Sequence, residues 1–290
     1  MLVIEPNDKN IRDQIILDWF PYMKCNYRCS YCSSYNKNSD FNPELFEKFY
    51  DYLKLQNNNI LLKILGGEPS LIPNINYILN KLSSLNIDIV MFTNGSRHII
   101  TPKNISLNIS IHYEYISEAY INNITNLIKK QNQKPTVLFN IRNDLEPSIK
   151  QKIIDCYNII KEQDCYICLN NIILDNNDPL DQELVTLFNQ NNREFSQLYN
   201  FNNETKNYFE YLDFYKKHNN NFRNCICKIN NFRIDHDYNV FTTCVNRYYC
   251  NIIKEPKALK HQTVLCNNNY CDDSCYMDTV KLFRNLGSDV

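Results

Sequence analysis

Three cysteines stand close together near the start of the chain, at Cys25, Cys29 and Cys32, in the segment C-N-Y-R-C-S-Y-C. This spacing puts three thiolates on one short loop. A cubane iron–sulfur cluster has four irons, and proteins that use one only to carry electrons usually provide four cysteines. Three ligands leave one iron open, so the spacing favours a reactive cluster. The alternative is a zinc site, which also uses closely spaced cysteines but needs four protein ligands when it is structural.

Two glycine-containing motifs follow strand-like runs of apolar residues. The motif G-G-E-P, at residues 66–69, follows the run 60–65, and the motif T-N-G, at residues 93–95, follows the run 87–92. The chain holds four glycines, and three of them lie in these two motifs. Because glycine lets the backbone come close to a ligand, both strand ends are candidate binding loops. A simple turn is the alternative interpretation for Gly95.

The three motifs, in this order, resemble those of the radical SAM enzyme family over about the first two-thirds of the chain. The resemblance implies that Cys25, Cys29 and Cys32 hold a [4Fe–4S] cluster whose free iron binds S-adenosylmethionine (SAM). It also implies reductive cleavage of SAM to methionine and a 5′-deoxyadenosyl radical, which abstracts a hydrogen atom from the substrate. The enzyme would then be of oxidoreductase or transferase type. No catalytic acid or base is assigned, because the first step needs none.

The resemblance also implies which residues contact SAM. Tyr31 matches an aromatic position near the adenine, and Gly66, Gly67 and Glu68 match the stretch that meets the methionine amino group. The other candidates lie at the ends of the third, fourth and fifth apolar runs: Thr93, Asn94, Ser110, Asn140 and Arg142. For the last three, ordinary solvation of a strand end is the alternative.

Apolar runs begin near positions 15, 60, 87, 105, 136 and 165, and helix-like stretches separate most of them. This alternation predicts an α/β fold with a parallel sheet and helices outside it. Asn42 and Pro43 signal the start of one helix. Others are expected over residues 75–85, 116–129 and 145–162. Six such units agree with the partial (β/α)6 TIM-like barrel that the resemblance implies, with the site at the carboxyl ends of the strands.

Seven of the thirteen cysteines crowd into the last quarter of the chain, where residues 233–241 are expected to form a β-hairpin. We expect Asn239 to take the left-handed conformation in its turn. The arrangement resembles the SPASM or twitch extension, which binds an auxiliary [4Fe–4S] cluster, although that extension has glycine where this chain has Asn239. The implied ligands are drawn from Cys227, Cys244, Cys266, Cys271 and Cys275, with Cys225 competing with Cys227. A structural zinc site is the alternative.

These patterns divide the chain into a radical SAM core over residues 1–205 and a small cysteine-rich domain over residues 206–290. Three other cysteines, Cys156, Cys165 and Cys168, are expected to pack in the interior, as free cysteines often do. His112 follows the fourth apolar run. We expect it either to face the substrate or to form a hydrogen bond at the rim.

Composition indicates the setting. The net charge is −1 and there is no basic block, so we expect no nucleic-acid partner. No apolar run reaches membrane-spanning length and no signal sequence is recognisable, so we expect a cytoplasmic protein with cysteines as reduced metal ligands. The resemblance implies a peptide, protein or small-molecule substrate and an electron donor such as flavodoxin or ferredoxin. The alternative function is a non-catalytic zinc or iron–sulfur binding module that kept the scaffold.

Overall fold

A computed structural model of the chain describes residues 2–6, 13–32, 39–56, 59–142, 145–171, 181–189, 199–201, 204–206, 225–242, 247–265 and 280–283. The chain divides into two compact units. The first unit comprises residues 1–19, 42–62 and 196–290, and the second unit comprises residues 20–41 and 63–195.

Strands and helices alternate over most of the described chain. The strands are β1 (Leu2–Pro6), β2 (Ile15–Trp19), β3 (Ile60–Ile64), β4 (Asp88–Thr93), β5 (Ile105–His112), β6 (Thr136–Ile141), β7 (Tyr166–Asn171), β8 (Tyr199–Phe201), β9 (Glu204–Lys206), β10 (Ile226–Ile229), β11 (Asn231–Ile234), β12 (Asn239–Thr242), β13 (Tyr248–Asn251), β14 (Gln262–Leu265) and β15 (Val280–Phe283). The helices are α1 (Pro43–Lys54), α2 (Ile75–Leu82), α3 (Glu118–Lys129), α4 (Pro147–Ile160) and α5 (Gln182–Asn189). Two short 3-10 helices cover Pro69–Leu71 and Tyr113–Tyr115.

The second unit is built on the parallel strands β4, β5, β6 and β7, which pair in that order. Along β5, buried and partly exposed residues alternate, as expected of a strand with two different faces. The buried face of the sheet packs on helices. The ring centroid of Phe139, in the neighbouring strand β6, lies 6.2 Å from that of Tyr157 in α4 and 5.0 Å from that of Phe188 in α5. The other face of β5 carries the polar side chains that lead to the candidate site: Ser106, Asn108, Ser110 and His112.

Helix α1 belongs to the first unit and begins as the sequence predicts. The Asn42 side chain accepts a hydrogen bond from the Leu45 N–H at 3.1 Å, and Pro43 is the first helical residue. Both features favour a helix start because the first turn has unpaired N–H groups and proline has none to lose. Phe49 of this helix packs its ring 4.8 Å from that of Trp19, and both are fully buried.

Two groups of strands form the sheets of the first unit. Strand β11 pairs in parallel with β2 and antiparallel with β12, which pairs with β13. The other sheet has the order β14-β10-β15-β1-β8-β9, in which β1 and β15 are antiparallel neighbours. Residues from the two ends of the chain therefore build this unit together.

The predicted hairpin forms between β11 and β12, but its turn differs from our expectation. Tyr238, with φ 62°, takes the left-handed conformation that we expected for Asn239. Asp235 organises the turn, since its Oδ1 accepts hydrogen bonds from the N–H groups of Asp237 and Asn239 at 3.0 and 2.9 Å. The Tyr238 ring is buried against Trp19, with ring centroids 6.3 Å apart. Burial of this ring offsets the strain of the left-handed conformation, which is unusual for a bulky residue.

The predicted α/β fold of partial TIM-like type is confirmed. Every strand predicted from an apolar run is present, and β2 to β7 alternate in sequence with helices except between β4 and β5. The strands of the described residues do not close into a barrel. The helix predicted over residues 75–85 ends earlier, at Leu82. None of the helices in the described ranges is long and apolar enough to span a membrane. The division at residue 205 stays a prediction.

Candidate functional site

The cysteine loop, residues 25–32, carries the thiols of Cys25, Cys29 and Cys32 in the second unit. Cys29 is buried, whereas Cys25 and Cys32 are half-buried. The Cys32 N–H donates to the Cys29 carbonyl at 3.0 Å, and the Tyr27 N–H points to the Cys25 sulfur at 3.3 Å. Burial raises the pKa of the Cys29 thiol to about 12. A metal centre would therefore have to displace the proton from the Cys29 thiol, as metal binding to cysteine generally does.

The two glycines of the G-G-E-P motif contact the backbone that leads into the cysteine loop. The Gly67 N–H donates to the Tyr22 carbonyl and the Glu68 N–H to the Lys24 carbonyl, both at 2.9 Å. A Cβ at Gly67 would lie 2.3 Å from the Lys24 carbonyl oxygen, and one at Gly66 would lie 2.2 Å from that of Tyr22. Gly66 also has φ 131°. Only glycine fits at either position, because the neighbouring backbone leaves no room for a side chain.

We expect Gly67→Ala to lower the free energy of unfolding by about 2 kcal/mol, because the added methyl group must push the Lys24 backbone aside. Urea unfolding of the metal-free protein measures this change. Lys103→Ala, at an exposed position of the same unit, is the control and should leave stability unchanged. Equal stability of Gly67→Ala and the wild type would contradict the close approach of the two backbones.

Glu68 joins the second and third motifs. Its carboxylate is 1% exposed and accepts three hydrogen bonds: from the Ser70 N–H at 2.9 Å, from the Thr93 hydroxyl at 2.6 Å and from the Asn94 N–H at 2.6 Å. A buried carboxylate needs such donors, because an unpaired charge in the interior is costly. Glu68 therefore fixes the two strand ends relative to each other.

The third motif also contacts the cysteine loop. The Asn94 side-chain N–H group donates to the Asn26 side-chain oxygen at 3.0 Å and lies 3.8 Å from the Cys25 sulfur. Gly95 has φ 68°, and a Cβ there would lie 2.2 Å from the Ile124 side chain of α3. Glycine is thus required at this turn by both backbone conformation and packing. Hydrogen bonds therefore link the T-N-G motif to the cysteine loop and the G-G-E-P motif to the residues just before that loop.

A cavity of about 350 Å³ lies between the three motifs. Its wall includes Ser110 and His112 of β5, together with Tyr31 from the cysteine loop. The volume lies within the range of small-molecule sites. The Tyr31 hydroxyl forms a hydrogen bond with Nδ1 of His112, which also lies 3.5 Å from the Cys29 sulfur. Burial lowers the pKa of His112 to about 4, so its ring is neutral near pH 7.

The donor set of the cysteine loop suits a cluster better than a single ion. Among the residues that the structure describes, no three His, Cys, Asp or Glu side chains are placed to share one metal ion. A cubane cluster binds each thiolate to a different iron, so its ligands need not converge on one point. The three half-buried or buried thiols beside a cavity therefore fit a cluster with three cysteine ligands.

The family model described as the Radical SAM superfamily matches residues 19–130. Over this range the chain is similar to the radical SAM superfamily. This range contains the cysteine loop and both glycine-containing motifs, as well as Ser110 and His112. No curated protein sequence matches the chain.

Several solved structures share this fold at low sequence identity. Streptococcus suis SuiB bound to S-adenosylmethionine is 14% identical with a TM-score of 0.54, over 84% of this chain and 64% of SuiB. SuiB bound to the precursor peptide SuiA gives 15% identity and a TM-score of 0.54 over the same shares of both chains. The protein anSMEcpe, with bound AdoMet and the Cp18Cys peptide, is 17% identical with a TM-score of 0.53, over 84% of this chain and 78% of anSMEcpe. The chain thus spans less than two-thirds of the length of SuiB.

The remaining predicted SAM contacts lie at or near the ends of β5 and β6. Ser110 lines the cavity, whereas Asn140 and Arg142 are not among the described residues of its wall. The register of the sheet sets His112, Asn140 and Asn170 side by side on neighbouring strands. The Asn170 side-chain N–H group donates to the Asn140 side-chain oxygen at 2.5 Å. Sequence reasoning missed Asn170, although its place at the end of the sixth apolar run was the available signal.

Only part of the predicted auxiliary site lies in the described residues. Cys225 and Cys227 are both buried, and Cys250 is buried in β13. Cys244, Cys266, Cys271 and Cys275 lie outside the described residues. Of the cysteines expected to pack in the interior, Cys156 is fully buried in α4, whereas Cys165 and Cys168 are half-buried.

Proposed function

We propose that the chain is a radical SAM enzyme that acts on a peptide or protein. The observation that carries this proposal is the joining of all three motifs around one cavity. Gly67 and Glu68 hold the backbone just before the cysteine loop, and Asn94 bonds to both Glu68 and the loop. A [4Fe–4S] cluster held by the three cysteines would adjoin a cavity of about 350 Å³, because all three line its wall.

Cys25, Cys29 and Cys32 would hold the [4Fe–4S] cluster. When bound, the cluster supplies one electron for the reductive cleavage of SAM to methionine and a 5′-deoxyadenosyl radical that abstracts hydrogen from the substrate. The residues of this chain hold the reacting groups close together and exclude water, which is the main contribution of a protein to cofactor chemistry. The enclosing cavity wall, with the half-buried Tyr31 and His112, supports this role.

Several side chains are proposed to bind SAM. Gly66 and Gly67 line the cavity wall. Tyr31 and Ser110 line the same wall. Thr93 and Asn94 donate hydrogen bonds to Glu68, so we propose that their main role is to hold the site in shape. Asn140 and Arg142 stand next in the row of strand ends, where they would reach a ligand that extends beyond the cavity.

The proposal of a peptide substrate rests on two relatives in structure. SuiB has been crystallised with the precursor peptide SuiA and anSMEcpe with the Cp18Cys peptide. The polar row of His112, Asn140 and Asn170 supports this proposal, because amide side chains suit the hydrogen-bonding groups of a peptide backbone. A small-molecule substrate is the alternative. We also propose an electron donor such as flavodoxin or ferredoxin and a cytoplasmic location.

We propose that the cysteine-rich region, residues 206–290, binds an auxiliary [4Fe–4S] cluster of SPASM or twitch type. Cys227 is buried in β10, the strand that precedes the hairpin of β11 and β12 in the chain, and this supports its assignment as one ligand. The other proposed ligands are Cys244, Cys266, Cys271 and Cys275. A fully loaded chain would then contain about eight irons, whereas about four would contradict a second [4Fe–4S] cluster.

Anaerobic reconstitution with iron and sulfide, followed by SAM and a reductant, tests the proposed function. We expect formation of 5′-deoxyadenosine and methionine in amounts that depend on the reductant. Omission of the reductant is the control and should give neither product. A protein that binds zinc, takes up no iron and leaves SAM intact would instead support the alternative, a non-catalytic metal-binding module.

A further inference from the structure

We propose that residues 112–115, the segment H-Y-E-Y that begins at the last residue of β5, form a seat that holds the cysteine loop in its ligand-binding conformation before any cluster is bound. The inference deepens the proposed function and concerns the same site. The seat contacts the middle of the loop, residues 27–31, whereas Gly67 and Glu68 bond to Tyr22 and Lys24, just before the loop. Glu114 and Tyr115 are its positioning residues.

Glu114 holds the backbone of the loop at Ser30. Its two carboxylate oxygens accept a hydrogen bond from the Ser30 N–H, at 3.1 and 3.0 Å. Ser30 is the first of the two residues between Cys29 and Cys32. A charge-assisted bond at this point fixes the backbone between the second and third cysteines, and hence the direction in which both thiols leave it.

Tyr115 holds the loop at two neighbouring residues. Its hydroxyl accepts a hydrogen bond from the Arg28 N–H at 2.6 Å. Its ring stacks on that of Tyr27, with centroids 3.9 Å apart and planes 3° from parallel. The contact lies between the first and second cysteines, so the two positioning residues together restrain both spacers of the C-x-x-x-C-x-x-C motif.

His112 completes the seat next to the cavity. The Tyr31 ring stacks on the His112 ring, with centroids 6.0 Å apart, and its hydroxyl bonds to Nδ1 of that ring. Tyr31 also stacks on Tyr113, with centroids 5.8 Å apart. The 3-10 helix Tyr113–Tyr115 makes this arrangement possible, because a tight turn directs consecutive side chains of the segment to different parts of the loop.

Such a seat reduces the cost of binding a cluster. A loop that has to be ordered by its ligand loses conformational entropy when the ligand binds, whereas a loop that is already ordered does not. The four side chains of this segment contact the loop at residues 27, 28, 30 and 31, through hydrogen bonds or ring stacking. The seat therefore favours uptake and retention of the cluster without any contact to substrate.

The test compares matched variants of the full-length protein. Glu114→Ala removes both acceptor oxygens, whereas Glu114→Gln keeps one of them. Tyr115→Phe removes the acceptor hydroxyl but keeps the ring that stacks on Tyr27. Glu162→Gln and Tyr77→Phe, at exposed positions of the same unit, make similar chemical changes away from the loop and serve as controls.

Hydrogen–deuterium exchange of the metal-free proteins is the first measurement. We expect amides in residues 26–32 to exchange about tenfold faster in Glu114→Ala and Tyr115→Phe than in the wild type, as loss of one hydrogen bond predicts. Glu114→Gln should lie between Glu114→Ala and the wild type, and the controls should match the wild type. Exchange elsewhere in the second unit should be unchanged. If the amides of residues 26–32 exchange in both Glu114→Ala and Tyr115→Phe at the same rate as in the wild type, the proposal is overturned.

The release of iron from reconstituted protein to a chelator is the second measurement. We expect faster release from Glu114→Ala and Tyr115→Phe than from the wild type and the controls. Faster amide exchange with unchanged iron release would overturn the proposed benefit to cluster retention. Neither measurement depends on turnover, so the outcomes separate. If the variants match the wild type in amide exchange and iron release while the wild type cleaves SAM, only the seat is rejected. If the variants differ as expected but the wild type does not cleave SAM, only the enzymatic function is rejected.

Discussion

Replacing Cys25, Cys29 and Cys32 together by alanine should abolish the formation of 5′-deoxyadenosine from SAM. The variant should also contain about four irons fewer per chain than the wild type, because the cluster loses all its protein ligands. If the auxiliary cluster exists, about four irons should remain. Iron analysis of the reconstituted proteins and product analysis by chromatography measure both effects.

The control for this variant is Cys165→Ala, which removes a half-buried thiol of the same unit outside the cysteine loop. It should keep the wild-type iron content and SAM cleavage. Continued production of 5′-deoxyadenosine by the triple variant would contradict the assignment of these cysteines and leave the proposed function without its site.

Glu68→Gln should lower the free energy of unfolding by about 3 kcal/mol, since a buried amide cannot accept all three hydrogen bonds of the carboxylate. Whichever way the amide is turned, its NH2 group faces a donor, the N–H of Ser70 or of Asn94. SAM cleavage should fall as well, because the two strand ends lose their common partner. Urea unfolding of the metal-free protein measures the first effect.

The same variant separates two roles of Glu68. The family resemblance implies that this stretch meets the methionine amino group of SAM, whereas the structure engages the Glu68 carboxylate with Ser70, Thr93 and Asn94. Weaker SAM binding at unchanged stability would favour direct contact and contradict a positioning role. Glu162→Gln is the matched control at an exposed position and should leave both stability and cleavage unchanged.

Local patterns explain why much of the fold was predictable. Apolar runs mark β2 to β7 because parallel strands are buried on at least one face, and Asn42 with Pro43 marks the start of α1. The three motifs were found for the same reason, since each is a short run of residue types next to a strand end. The sequence also indicated that these motifs lie together, because the carboxyl ends of parallel strands share one edge.

Contacts between distant residues could not be predicted in this way. The glycines at 66 and 67 suggested the approach of a ligand, yet the nearest atoms to their missing side chains belong to the backbone of residues 22–24. The left-handed turn residue is Tyr238 rather than Asn239, because packing against Trp19 outweighs the local preference. Glu114 and Tyr115 belong to no motif, and only the structure brings them to the cysteine loop.

The pairing of β1 with β15 has a consequence for how the chain folds during synthesis. Strand β1 begins at Leu2, but its partner begins at Val280, so the two can pair only after all the residues between them have left the ribosome. At roughly 5–20 residues per second, that delay is on the order of tens of seconds. The second unit is not delayed in this way. The carbonyls of Tyr22 and Lys24 bond to Gly67 and Glu68, which follow them in the sequence by fewer than fifty residues. We therefore expect the cysteine loop to be shaped on the nascent chain while β1 still lacks this neighbour.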